Sequence, residues 1–93
     1  MKIICNNLKS KIIIRVEDNG RNILSINDEL MIISETGVDI LKFLNDEMTS
    51  EQIINNLTEI YNADFNTIEA DYYDFVEQMI NIGIIDGERV FTN

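Results

Sequence analysis

The stretch ELMIISETGVDILKFLND (residues 29–46) joins an apolar strand to a helix and decides the fold of this chain. Its four consecutive apolar residues, Leu30–Ile33, make both faces of the strand apolar, because successive side chains of a strand point to opposite sides. Ser34 follows directly and is a favourable helix N-cap. The apolar residues that continue at helical spacing are Val38, Leu41, Phe43 and Leu44. Antiparallel sheets commonly have one apolar face, so the second apolar face of this strand requires an explanation.

Three short segments predict an antiparallel β-meander that ends at this junction. Lys11–Asp18 is β-branched and apolar, Asn22–Ile26 alternates, and Glu29–Ser34 is the third strand. Two short motifs supply the turns between them, the tripeptide NGR and the dipeptide ND. Gly20 of NGR is free to take a positive φ. The N-terminal segment MKIICNN is a candidate for a further short strand, with its place in the sheet left open.

The rest of the chain is predicted to be helical. The first helix extends from the Ser34 cap to Asn45, and a second begins with the TSEQ capping box at Thr49 and ends at Tyr61. A single domain, residues 1–93, therefore has its strands at about 11–34 and its helices at about 35–82. Strands followed by helices predict an α+β class, with a helical half that resembles a winged helix-turn-helix.

The last helix is predicted over Thr67–Ile82, with Asn66 as N-cap and Gly83 as C′ residue. A turn at Asp86–Gly87 then leads into a candidate short terminal strand. The helix has an ordinary core stripe, which consists of Ile68, Tyr72, Phe75 and Met79. Its apolar arc extends well beyond that stripe on one side, through Tyr73, Val76 and Ile80, whereas the other side carries Asp71, Asp74 and Gln78. Either the N-terminal residues or the first helix cover the excess, or it forms the wall of a groove.

Charge and composition exclude several classes of function. The net charge is -10, and every charged residue from Phe43 to Glu88 is acidic, which opposes contact with a phosphate backbone. With no histidine and one cysteine, the chain cannot build a Ser/His/Asp, Cys/His or zinc site, so no catalytic residue, metal or cofactor is expected. The chain has no apolar run of membrane-spanning length and no export signal, so we expect a cytoplasmic protein without a membrane partner.

Unpaired backbone groups at a sheet edge are usually protected by charge or proline, and Leu30–Ile33 has neither. If this segment lies at an edge beside the last helix, the two elements make a groove for an added peptide strand.

Several motifs occur in an order and spacing that resemble one known family. They are ISETG (33–37), TSEQI (49–53), Tyr61, DYYDFVEQM (71–79) and GII (83–85). Together they are similar to the PqqD-like proteins, the recognition elements of ribosomally synthesised and post-translationally modified peptides (RiPPs). Ser34 stands where that family usually has Asn, Glu47 where it often has Gly, and Tyr72 where it has Val.

The resemblance implies a stand-alone, non-catalytic chaperone of peptide modification in natural product biosynthesis. Such proteins bind the leader segment of a precursor peptide between the third strand and the last helix, and present it to a modifying enzyme. A radical-SAM maturase or a lasso-type leader peptidase or cyclase is the expected kind of enzyme. The leader-binding residues expected on this basis are Leu30, Met31, Ile32, Ile33, Ser34, Tyr72, Tyr73, Val76, Glu77 and Ile80.

Two other classes remain open. One is a protein–protein adaptor or homodimer that buries the same strand edge against itself. The other is a winged-helix regulator of DNA, which is opposed by a last helix without Lys or Arg.

Overall fold

A four-stranded antiparallel sheet precedes the helices in the computed structural model, which describes residues 1–91. The strands are β1 (Lys2–Cys5), β2 (Ile12–Val16), β3 (Asn22–Ile26) and β4 (Glu29–Ile33), and they are neighbours in chain order. The α+β class is confirmed, but the prediction of three strands is wrong. The N-terminal segment adds the fourth strand because Cys5 contributes a buried side chain to the core, and β1 pairs with β2 along its whole length.

A two-residue turn sets the register between β3 and β4. Asn27 and Asp28 have φ values of 48° and 67°, and positive φ at both central residues is typical of a type I′ hairpin. In such a hairpin the flanking residues, Ile26 and Glu29, form a hydrogen-bonded pair, and the pairs then alternate along the ladder. Glu29, Met31 and Ile33 therefore direct their backbone groups towards β3. The sheet order leaves β4 at an edge, as the sequence predicted for Leu30–Ile33.

Four helices follow the sheet, and their bounds are α1 (Glu35–Asn45), α2 (Ser50–Tyr61), α3 (Phe65–Asn81) and α4 (Gly87–Phe91). Two predicted caps are confirmed. Ser34 Oγ accepts a hydrogen bond from the Gly37 amide at 3.0 Å, and Thr49 and Gln52 form both hydrogen bonds of the capping box. In the described part of the chain, no helix has both the length and the apolar character needed to cross a membrane.

Two predictions about the C-terminal third are wrong in detail. Helix α3 begins two residues before Thr67, because the carboxylate of Asp64, rather than Asn66, caps its first turn by accepting from the Thr67 amide at 3.2 Å. The segment after Gly83, whose φ of 86° confirms it as the C′ residue, contains helix α4 instead of a strand. Asp86 starts α4 by accepting from the Glu88 amide at 3.0 Å. The winged-helix description of the helical half stays a prediction.

One hydrophobic core joins the inner face of the sheet to all four helices. The sheet contributes Cys5, Ile12, Ile14, Leu24, Ile26 and Ile33, and the helical half contributes residues from Val38 to Val90. Helix α4 is held over the end of α1 by the Arg89 guanidinium, which donates to the Leu44 carbonyl.

A buried polar pair lies inside this core. The Tyr72 side chain is fully buried, and its hydroxyl lies 2.7 Å from Ser50 Oγ at the start of α2. Burial raises the pKa of the Tyr72 phenol above its ordinary value of 10.0. The neutral phenol therefore favours folding below the unfolded-state pKa, and this contribution is lost as pH rises through the folded-state pKa.

We expect Tyr72→Phe to lower the free energy of unfolding by about 1–3 kcal/mol, because it leaves Ser50 Oγ buried without its partner. Tyr72→Phe/Ser50→Ala should recover part of that loss. Urea unfolding of both single variants and the double variant measures the coupling between the two hydroxyls. Additive effects would contradict the pairing.

Candidate functional site

A groove follows the edge strand β4 along helix α3. One cavity, of about 290 Å³, is lined on the strand side by Met31–Ser34 and on the helix side by Asp71, Asp74, Phe75, Gln78 and Met79. A second cavity of about 290 Å³ is lined by Ile26, Asn27, Glu29, Leu30, Met31 and Ile82. Both cavities include Met31 in their lining, and we call the surface that the two make up together the β4–α3 groove.

Strand and helix lie antiparallel in this groove. Ile82, which follows the last residue of α3, lies beside Leu30 near the start of β4. Phe75, in the middle of α3, lies against Gly37 just after the end of β4. The groove thus has a Ser34 end, near Asp71 and Phe75, and a Glu29 end, near Ile82.

The free edge of β4 offers backbone groups from alternate residues. Since Met31 and Ile33 pair with β3, the N–H and C=O groups of Leu30 and Ile32 point away from the sheet. Among residues 1–91 no strand pairs with this edge. The side chains follow the same alternation, with Ile33 buried at 7% exposure and Leu30 and Ile32 exposed at 70% and 63%.

The two apolar faces of this strand consequently lie against different surroundings. Met31 and Ile33 lie on the helix side, where Ile33 joins the core. Leu30 and Ile32 lie on the outer face of the sheet, opposite Ser25 and Ile23 in the β3 register. The second apolar face noted in the sequence is therefore mainly an outer surface of the sheet, although Leu30 also contributes to the lining of the groove at its Glu29 end.

The structure brings only part of the predicted site together. Leu30–Ser34 all line the groove, but the five residues predicted on the last helix do not. Tyr72 and Val76 are fully buried in the core, and the ring of Tyr73 contacts that of Tyr72 edge-on at a centroid distance of 5.0 Å. Glu77 is exposed away from the lining.

Ile80 packs towards helix α4 rather than towards β4. Its Cδ1 atom lies 3.6 Å from the position that a Cβ atom on Gly87 would occupy. The wide apolar arc of α3 therefore has a structural explanation, because it covers the core on one side and the start of α4 on the other.

The helix side of the groove is a different face of α3. Asp71, Asp74, Phe75 and Gln78 follow the i, i+3, i+4, i+7 spacing of a single face. Sequence reasoning assigned Phe75 to the core stripe and the three polar residues to the solvent side. Their common face, with one aromatic residue among polar ones, was the available signal for a half-exposed wall.

Gly37 allows Phe75 to lie where it does. A Cβ atom on Gly37 would stand 2.7 Å from Phe75 Cε1, which is shorter than a normal contact, so the ring rests directly on the first turn of α1. This contact positions an aromatic ring at the Ser34 end of the groove.

The groove has a negative electrostatic character. Its lining includes the carboxylates of Asp71, Asp74 and Glu29, and it includes no Lys or Arg from the described residues. Neither Asp71 nor Asp74 has a hydrogen-bond or ion-pair partner within residues 1–91. In the same part of the chain, no group of His, Cys, Asp and Glu is arranged to hold a metal ion.

Comparison with protein families gives a match over most of the chain. Residues 17–85, well over half of the chain, match the model of the coenzyme PQQ synthesis protein D (PqqD) family. The chain belongs to the PqqD family. PqqD-family proteins are non-catalytic accessory proteins that bind a peptide and work with a modifying enzyme. The matched segment contains both sides of the β4–α3 groove, whereas β1 and β2 precede it. Searches of curated proteins and of solved structures gave no significant match.

We expect Gly37→Ala to reshape the groove more than it changes stability. The added methyl group displaces the Phe75 ring, while alanine gains about 0.8–1 kcal/mol of helix propensity over glycine, which offsets the cost of moving the ring. Aromatic NMR shifts of Phe75 and thermal unfolding measure the two effects. An unfolded variant, or a Phe75 environment unchanged from the parent protein, would contradict this role of Gly37.

Proposed function

We propose that this PqqD-family protein binds the leader segment of a ribosomally synthesised precursor peptide as a fifth strand on β4, and presents it to a modifying enzyme. The observation that supports this best is the free edge of β4 beside a groove. Strand addition needs an unpaired edge for main-chain hydrogen bonds and a neighbouring wall for alternate side chains. Both are present within the segment that carries the family match.

The backbone of the leader pairs with Leu30 and Ile32, each of which offers one N–H and one C=O. Each hydrogen bond contributes about 0.5–1.5 kcal/mol net, and each buried apolar side chain contributes roughly 1.5–3 kcal/mol. Ordering a flexible leader costs about 2–5 kcal/mol or more. Main-chain pairing alone therefore gives weak binding, and side chains that enter the groove must supply the rest.

The side chains that receive the leader are Met31 from β4 and Asp71, Asp74, Phe75 and Gln78 from α3. We do not include Tyr72, Tyr73, Val76, Glu77 and Ile80, because none of them lines the groove. The free edge also supports a second candidate function, in which two copies of the chain pair through β4 and form a continuous sheet.

Amide hydrogen exchange of β4 tests the strand-addition geometry. On addition of a peptide that binds the groove, taken from the short reading frames around this gene, exchange should slow at the Leu30 and Ile32 amides. The Met31 and Ile33 amides should change little, because they are already paired with β3. Slowing that is confined to α2 would contradict strand addition. The same alternating protection without peptide, with a dimeric mass in sedimentation, would favour the homodimer.

A proline at Ile32 removes one edge donor and no ladder bond. Ile32→Pro should weaken peptide binding by roughly tenfold or more, because a lost hydrogen bond and an unsatisfied peptide carbonyl together cost about 1.5–4 kcal/mol. Proline is tolerated on edge strands when its nitrogen faces outward, so the domain should stay folded. Ile32→Thr is the matched control, since it changes the side chain and keeps the amide. Titration calorimetry with both variants measures the difference, and equal losses of affinity would assign the effect to the side chain.

A further inference from the structure

We infer that the β4–α3 groove selects a leader segment with a Lys or Arg at the Ser34 end and an apolar residue at the Glu29 end. This inference rests on the proposed function, and it adds the chemistry of the segment that the groove accepts.

The first observation is a pair of uncompensated carboxylates on the helix wall of the groove. Asp71 and Asp74 lie about one helical turn apart on the groove face of α3, and both side chains are exposed. Neither finds a cationic partner among the described residues. An acidic segment placed here meets like charge, whereas a cationic side chain meets two acceptors.

The second observation is the apolar surface between β4 and these carboxylates. Phe75 and Met31 are half-buried and line the same cavity as Asp71 and Asp74. Lys and Arg bury the methylene part of their side chain on apolar surface while the charged group stays polar. A cationic side chain from an added strand can therefore lie across Phe75 and reach the carboxylates. An aspartate or glutamate is too short to do this and has the wrong charge.

The opposite end of the groove has a different chemistry. Leu30, Met31 and Ile82 contribute to its lining, and Ile82 and Leu30 are 46% and 70% exposed. Among the described residues, Glu29 is the one charged residue in that lining. An apolar leader side chain covers this end best. The two ends thus impose a direction on the bound segment, which backbone pairing alone does not.

Selection from a displayed library of random peptides of about ten residues, the length of a long strand, tests the inference without a known leader. The parent protein should enrich peptides with Lys or Arg at one position and an apolar residue further along. Asp71→Asn/Asp74→Asn should lose the preference for Lys or Arg and keep the apolar preference. The matched control is Glu51→Gln/Glu59→Gln, which removes the same charge from exposed positions of α2, outside the groove.

One enriched peptide is then titrated against each variant. The Asp71→Asn/Asp74→Asn variant should bind it roughly fivefold more weakly at low ionic strength, the upper range for an exposed ion pair. The difference should shrink at high salt. The control variant should bind like the parent protein.

The outcomes separate the two proposals. Two results would overturn this inference and leave strand addition standing. In the first, the enriched peptides compete with one another but show no preference for Lys or Arg. In the second, both double variants show the same preference for Lys or Arg. Peptides whose binding is insensitive to Ile32→Pro would contradict the proposed function itself. No enrichment from the library would contradict both.

Discussion

The turn at Asn27–Asp28 determines which atoms of β4 are available to another molecule. Because it pairs Ile26 with Glu29, the Met31 and Ile33 backbone groups are used inside the sheet, and those of Leu30 and Ile32 are left at the edge. A slip of one residue would exchange the two sets and turn Ile33 out of the core. Burial of Ile33 and the helix cap at Ser34, the next residue, oppose such a slip. The register of one hairpin thus fixes both the donors at the edge and the position of the groove.

Helix α3 is fixed beside that edge by the contacts of its other faces. Val76 and Met79 are buried, the Tyr72 hydroxyl is paired with Ser50, and Ile80 packs towards α4. On the groove face, Phe75 contacts Gly37, whereas Asp71, Asp74 and Gln78 are exposed. A wall whose side chains are positioned by a rigid helix loses less conformational entropy on binding than a flexible loop would.

The sequence predicted the edge strand, the main helices and the α+β class because each depends on local signals. Leu30–Ile33, the Ser34 cap and the Thr49–Gln52 capping box required no knowledge of distant contacts. The errors lie where two competing local signals were present or where a distant partner decides. Asp64 and Asn66 are both capable caps, and the strand β1 is too short to be recognised without β2.

The predicted site on α3 and the face that lines the groove differ for a related reason. An apolar arc of nearly twice the usual width indicates that a helix has more than one neighbour, but not which neighbour covers which side. The covering element near Ile80 is α4, which the sequence predicted as a strand. Because that segment is a helix that packs on α3, α4 covers Ile80. The groove instead borders the face of α3 that carries Phe75.

Under the proposed function, affinity and selectivity come from different elements of the groove. Leu30 and Ile32 offer backbone groups that are the same for every amino acid except proline, so β4 can bind many extended segments and distinguish few of them. Discrimination has to come from α3, where Asp71, Asp74 and Phe75 meet the side chains of the guest. This separation explains how one fold can keep a constant edge strand while changes on a single helical face retune which peptide it accepts. On this basis the acidic surface of the chain does more than maintain solubility, since Asp71 and Asp74 lie on the helix wall that contacts the guest.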